Sequence, residues 1–222
     1  MNSAWLSQSI PNTSEVSRVL RNTYFMLSLT LLCSAIFAGI AMSVGARSFN
    51  PFLFIIVALA FPFALQALRN SGWGIALTFA YTAFIGWAIG PILNMYIHNF
   101  TNGPQLIMMA LGGTGLIFLG LSAIALNPKR DFFKLAPFIF VGSIVALILM
   151  VVGIFVHVPA LQITVSILFA LVSGGFILFE TNSIIHGGER NYLIATVTLY
   201  VSIINIFLTL LQLLSFFGGD RR

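Results

Sequence analysis

Residues 179–217 read FETNSIIHGGERNYLIATVTLYVSIINIFLTLLQLLSFF: a glutamate closing one apolar run, a Gly-Gly loop, and a second apolar run from about Tyr192. Within that second run Thr198, Ser202, Asn205, Thr209 and Gln212 recur at spacings of 4, 3, 4 and 3. Such spacing sets all five on one face of a helix. Lipid cannot satisfy hydroxyls and amides, so a stripe of this kind points at protein or water. The last helix is therefore the post around which the other helices are expected to pack.

Composition supports that reading. Hydrophobic residues make up 59% of the 222 and charged ones 7%, with mean hydropathy +1.04. A soluble domain carries about 25% charged residues, so the chain is all-α and integral to a membrane. The net charge of +5 comes from scattered Lys and Arg that form no basic stripe, which argues against nucleic acid and leaves the lipid bilayer as the surrounding partner. Cys33 stands alone inside the first apolar run, where it reads as a small packing residue.

In chain order, a polar lead occupies residues 1–22, with Asn12 and Glu15 spaced as an N-cap and its third helical position. Apolar runs follow at about 24–44, 52–68, 73–97, 105–126, 135–156, 160–184 and 192–217, predicting seven membrane-spanning helices joined by short loops. The chain thus divides into a tail over 1–22, a bundle over 23–217 and a short polar end over 218–222. Arg18, Arg21, Arg69, Lys129, Arg130, Lys134 and Arg190 fall on one side of this topology, and Arg47, Arg221 and Arg222 on the other. Seven against three predicts a cytoplasmic N-terminus. Gly86 and Gly90, and Gly112, Gly113 and Gly115, read as places where backbones approach closely.

Chemistry has few places to sit. Glu180 lies about a turn and a half inside the sixth helix. A carboxylate in hydrocarbon must face the bundle, find a partner or hold a proton, and Arg69 is the first partner to name. One reading makes Glu180 a gate or switch; the other makes it an interfacial acid that reaches water. Ser202, ten residues into the seventh helix, reads first as a packing hydroxyl. His186 and Glu189 flank the Gly-Gly turn in a pattern too thin for a metal site, and His98 and His157 are expected in loops on the other side. There is no HExxH and no Gly-x-Ser-x-Gly, so no enzyme, cofactor or metal is expected.

Several stretches carry a resemblance: Arg21-Asn22-Thr23-Tyr24, Gly90-Pro91-Ile92-Leu93-Asn94, Ala110-Leu111-Gly112-Gly113-Thr114, and Leu178-Phe179-Glu180-Thr181-Asn182 through His186-Gly187-Gly188-Glu189. From about residue 16 onward the chain resembles the Bax inhibitor family, in particular its bacterial branch. The resemblance implies six helices wrapped around a central C-terminal seventh, in the bacterial inner membrane. It further implies association with the membrane-anchored AAA protease FtsH, as a slowly degraded substrate that restrains it. The handle for the protease would be the cytoplasmic tail, here Met1 to about Arg21, which includes Asn2, Ser3, Trp5, Glu15 and Arg18.

Other members of the family are pH-sensitive calcium leaks using two facing aspartates. Carried onto this chain, the positions fall on Glu180 and Ser202. One carboxylate and one hydroxyl cannot switch by mutual repulsion, and a divalent cation would lose half its fixed negative charge, which argues against calcium conduction. An ion leak gated at Glu180 with Arg69 as latch therefore stands second, and a transporter using the polar stripe third.

Overall fold

The structure is a computed structural model and describes residues 13–48, 50–68, 71–156 and 158–220. Seven helices follow one another: α1 (Thr13–Ser43), α2 (Pro51–Leu68), α3 (Trp73–Asn99), α4 (Gly103–Ala125), α5 (Ala136–Phe155), α6 (Pro159–Ile185) and α7 (Tyr192–Gly218). A 3-10 turn, Phe133–Leu135, leads into α5. Four helices carry a proline in the first turn (Pro51, Pro104, Pro137 and Pro159), where a missing N–H costs nothing and the fixed φ suits the helix.

Among the described residues, six helices are long and apolar enough to cross a membrane. The exception is α2, with 18 residues, or roughly 27 Å of rise. The expected runs and the helices agree closely except at the start. The polar lead and the first membrane run form one unbroken helix of 31 residues. The boundary between residues 22 and 23 therefore falls inside α1. Val16 and Val19 on this first part line a small crevice with Ile184 and Gly187, seating it against the end of α6.

Directions follow from cross-helix contacts. Cys33 lies near Phe79, Ser34 beside Gly86, and Ala41 beside Gly90, so α1 and α3 run parallel as neighbours. They form the most extensive helix pair of the bundle. The reason is visible at the glycines. A Cβ on Gly90 would lie 2.5 Å from that of Ala41 and 2.9 Å from the Ala38 carbonyl, and one on Gly86 would strike the Ser34 backbone. The expected close approach is real at this pair. It fails for Gly112 and Gly115 of α4, which have nothing within 4 Å, while Gly113 between them meets the Leu210 side chain.

Helix α7 is the most enclosed element: 61% of its most apolar window is buried, against 39% for the next, α3. It packs directly on α1, α2, α3, α4 and α6. Among the described residues α5 touches only α6 and the 3-10 turn. The expected ring of six around one is therefore a ring of five, with α5 standing beside α6. Tyr200, fully buried on α7, donates to Ser34 Oγ at 2.8 Å and its ring meets Tyr81 edge-on, while Tyr81 stacks on Phe61. These contacts tie α1, α2 and α3 to the post.

The two ends of the bundle differ. One collects Glu15, Arg18, Arg21, Lys129, Arg130, Asp131, Lys134, Glu189 and Arg190. The other holds Arg47 and Asp220 among the described residues. There the end of the chain is clasped: Thr101 N and Oγ1 donate to the Asp220 carbonyl, and Asn102 Nδ2 to that of Gly218.

Candidate functional site

The five stripe residues of α7 line two cavities. The first, about 460 Å³, has Asn205, Thr209 and Gln212 on its α7 wall; the second, about 400 Å³, has Thr198, Ser202 and Asn205. Asn205 and Phe169 belong to both. The stripe read from sequence is thus brought together as one polar wall.

Its hydrogen bonding divides in two. Towards the start of α7, Ser202 donates to Thr198 O at 2.8 Å and Thr198 to Ile194 O at 3.0 Å, each closing on its own helix. Further along, the bonds cross to α6. Asn205 Nδ2 donates to Ser173 Oγ at 3.2 Å, Thr209 Oγ1 to the Ser166 carbonyl at 2.9 Å, and Ser166 Oγ to Gln212 Oε1. Ser166 and Ser173 were not singled out in the sequence. Their seven-residue spacing, two helical turns on α6, is the signal that could have found them.

Glu180 sits elsewhere. Stepping two turns from Ser173 along α6 and two turns back from Asn205 along antiparallel α7 places Glu180 level with Thr198, about a turn from Ser202. It lines neither stripe cavity. It is buried, and its Oε1 has no hydrogen-bond partner among the described residues. Thr23 and Tyr24 on α1, Ser122 on α4 and Thr181 on α6 likewise keep a buried oxygen without one. All lie towards the charged end of the bundle. Arg69 lies outside the described residues, as do Asn2, Ser3, Trp5 and His157; Glu15 and Arg18 are exposed in the first turns of α1.

The His186–Glu189 turn is built for structure. Gly187 has φ +72°, Gly187 N donates to Ile184 O at 3.1 Å, and Gly188 N to Ser183 O at 2.8 Å. This pair of bonds is a Schellman stop for α6. The left-handed φ of Gly187 favours glycine there, and a Cβ on Gly188 would come 2.7 Å from Ser183 Oγ, which would have to shift. Glu189 Oε1 then accepts from Asn191 N at 2.6 Å, and Asn191 Oδ1 caps α7 through Leu193 N at 2.9 Å and Ile194 N at 3.3 Å. Asn182, quoted above only within a stretch of resemblance, fastens the end of α4 and the loop after it: its Oδ1 accepts from Phe132 N and its Nδ2 donates to Arg130 O and Ala125 O. Among the described residues no group of three His, Cys, Asp or Glu is placed to hold a metal ion.

The family model for inhibitors of apoptosis-promoting Bax1 matches residues 16–219. The chain belongs to the Bax inhibitor family. It is 44% identical, over 97% of its own length and 98% of the relative's, to the "Modulator of FtsH protease YccA" of Escherichia coli. A protein from Pseudomonas aeruginosa, whose name gives no function, is 43% identical over 97% of this chain and 96% of its own. A membrane protein of Vibrio cholerae is 39% identical over 96% of both. Glu180, the His186–Glu189 turn and the whole α7 stripe lie inside the region the Bax inhibitor family model covers.

Proposed function

We propose that this member of the Bax inhibitor family is an inner-membrane modulator of FtsH, which it binds and occupies as a slowly processed substrate. The observation that carries this reading is the likeness, at 44% identity and nearly full length on both sides, to a protein named for modulating that protease. The role is regulatory and non-enzymatic. The charged end of the bundle faces the cytoplasm, because Lys and Arg concentrate on that side of membrane proteins. In this reading α2 returns between the parallel neighbours α1 and α3, giving seven crossings. The segment ahead of Thr13 is then the cytoplasmic handle, and a protease drawing on it meets α1, the helix most closely fitted to a neighbour.

The test is the lifetime of a membrane protein degraded by FtsH, followed in cells with the full chain, without it, and with residues 2–12 deleted. Removing 2–20 would also cut into α1, so the shorter deletion separates handle from bundle. Lengthened lifetime with the full chain alone supports the reading; no effect of either form sinks it. A second reading, an ion leak gated near Glu180 with Ser202 and Arg69, draws on the buried, unpartnered Glu180 Oε1. Under it, Glu180→Gln changes calcium flux in liposomes while the 2–12 deletion does not.

A further inference from the structure

The stripe cavities have a chemistry of their own. Among the described residues, none lining either is Asp, Glu, Lys, Arg or His. Their polar side chains carry hydroxyls and amides, among them Ser166, Asn205, Thr209 and Gln212 in the first and Ser173, Thr198, Ser202 and Asn205 in the second. An ion crossing such walls would find no fixed charge to replace its water, at a cost of about 2.5 kcal/mol or more in hydrocarbon surroundings. The opposite walls, Ile85, Ile89, Phe54, Phe169 and Leu147 among them, are apolar.

The way in is sideways. Both cavities are lined by residues of α2 and of α5, and among the described residues these two helices do not touch. On the two helices that flank this gap, Phe63 of α2 and Phe140 and Ile144 of α5 are exposed and apolar. The stripe also has bonding capacity to spare. Asn205 uses only its Nδ2, leaving Oδ1 without a partner among the described residues, and Gln212 uses only its Oε1. An acceptor and a donor thus stand about 10 Å apart along α7, seven residues at 1.5 Å each.

We infer that the gap between α2 and α5 admits an uncharged amphiphile from the bilayer, whose hydroxyl- or amide-bearing head bonds Asn205 and Gln212 while its chain lies against the apolar walls. The volumes, about 460 and 400 Å³, fall in the range of ligand sites, about 300–1,000 Å³. The site is independent of the protease handle, so its failure would leave the proposed function standing.

The probe is 1-monolauroylglycerol, offered to the full chain in a neutral detergent and counted by native mass spectrometry. Dodecyltrimethylammonium serves as the permanently charged control of equal chain length. The neutral probe is expected to bind saturably and the cation about tenfold less, since no lining residue among the described ones offers it a counter-charge. Asn205→Leu removes the amide that would bond the head and is expected to weaken retention about tenfold. That variant also loses the bond to Ser173, so Met150→Trp, which narrows the α5 side of the cavity that holds Asn205 and Gln212 and leaves α7 intact, is measured beside it. Loss of retention in Met150→Trp with wild-type melting supports the site. Overturning results are equal retention of the cation, no saturable binding, or unchanged retention in a Met150→Trp protein that melts as wild type.

Discussion

Ser34 on α1 and Tyr200 on α7 are joined by a 2.8 Å hydrogen bond in a core where Tyr200 is fully buried, and the backbone of Ser34 is the surface against which Gly86 of α3 rests. Three helices therefore meet at one serine. Tyr200→Phe keeps the ring and its packing against Tyr81 but strands the Ser34 hydroxyl. It should cost about 1–3 kcal/mol, as for one buried partner lost, read as a lower melting temperature of the purified chain. A fall of no more than a degree would show that Ser34 Oγ finds another donor.

The glycines of α3 and α4 should answer oppositely. Gly90→Val forces a side chain into the Ala38–Ala41 backbone and should part α1 from α3, abolishing accumulation of folded protein in the membrane. Gly115→Ala, with nothing within 4 Å, should be neutral or stabilising by up to about 1 kcal/mol through helix propensity. Equal effects in a membrane-fraction immunoblot and melting assay would refute this account of the pair.

Asn182→Ala removes one acceptor and two donations to the α4–α5 loop at once. At about 1 kcal/mol for each bond, the loop should open far more often. Trypsin should then cleave after Lys129, Arg130 or Lys134 at least about tenfold faster, since cleavage tracks the open population, while the melting temperature falls only modestly. Cleavage at the wild-type rate would mean that Phe133, which meets Phe179 and His186 edge-on, holds the loop unaided.

Asn191→Ala strips the cap from α7 at the Leu193 and Ile194 amides. A lost N-cap costs about 1 kcal/mol, and hydrogen exchange at those two amides should rise while that of Tyr200 stays put. Exchange rising equally along α7 would place the damage in the whole bundle.

Much of this was legible in the chain. Runs of apolar residues longer than a bilayer is thick leave few folds, and the stripe from Thr198 to Gln212 marked the face of α7 that borders the cavities. The His186–Glu189 turn was readable as a turn, because two glycines after an apolar run suit a helix stop. Other relations were hidden for a physical reason. In lipid the outward face of a helix is as apolar as its packed face, so nothing in 136–155 announces that α5 misses α7. Gly112 and Gly90 look alike in sequence, and only the neighbour supplied by the fold separates them. The join of the polar lead to the first membrane run was obscured because Arg18 and Arg21 looked like a border, whereas a helix backbone continues through exposed arginines without cost.

The parallel course of α1 and α3 has a mechanical consequence. A pull applied ahead of Thr13, along the axis of α1, loads the interface lengthwise, so the seats at Ser34, Ala38 and Ala41 are strained together instead of peeling one after another. Interfaces loaded in shear yield at higher force than those unzipped from an end. A motor gripping this end of the chain would therefore have to slide the whole α1–α3 seam at once.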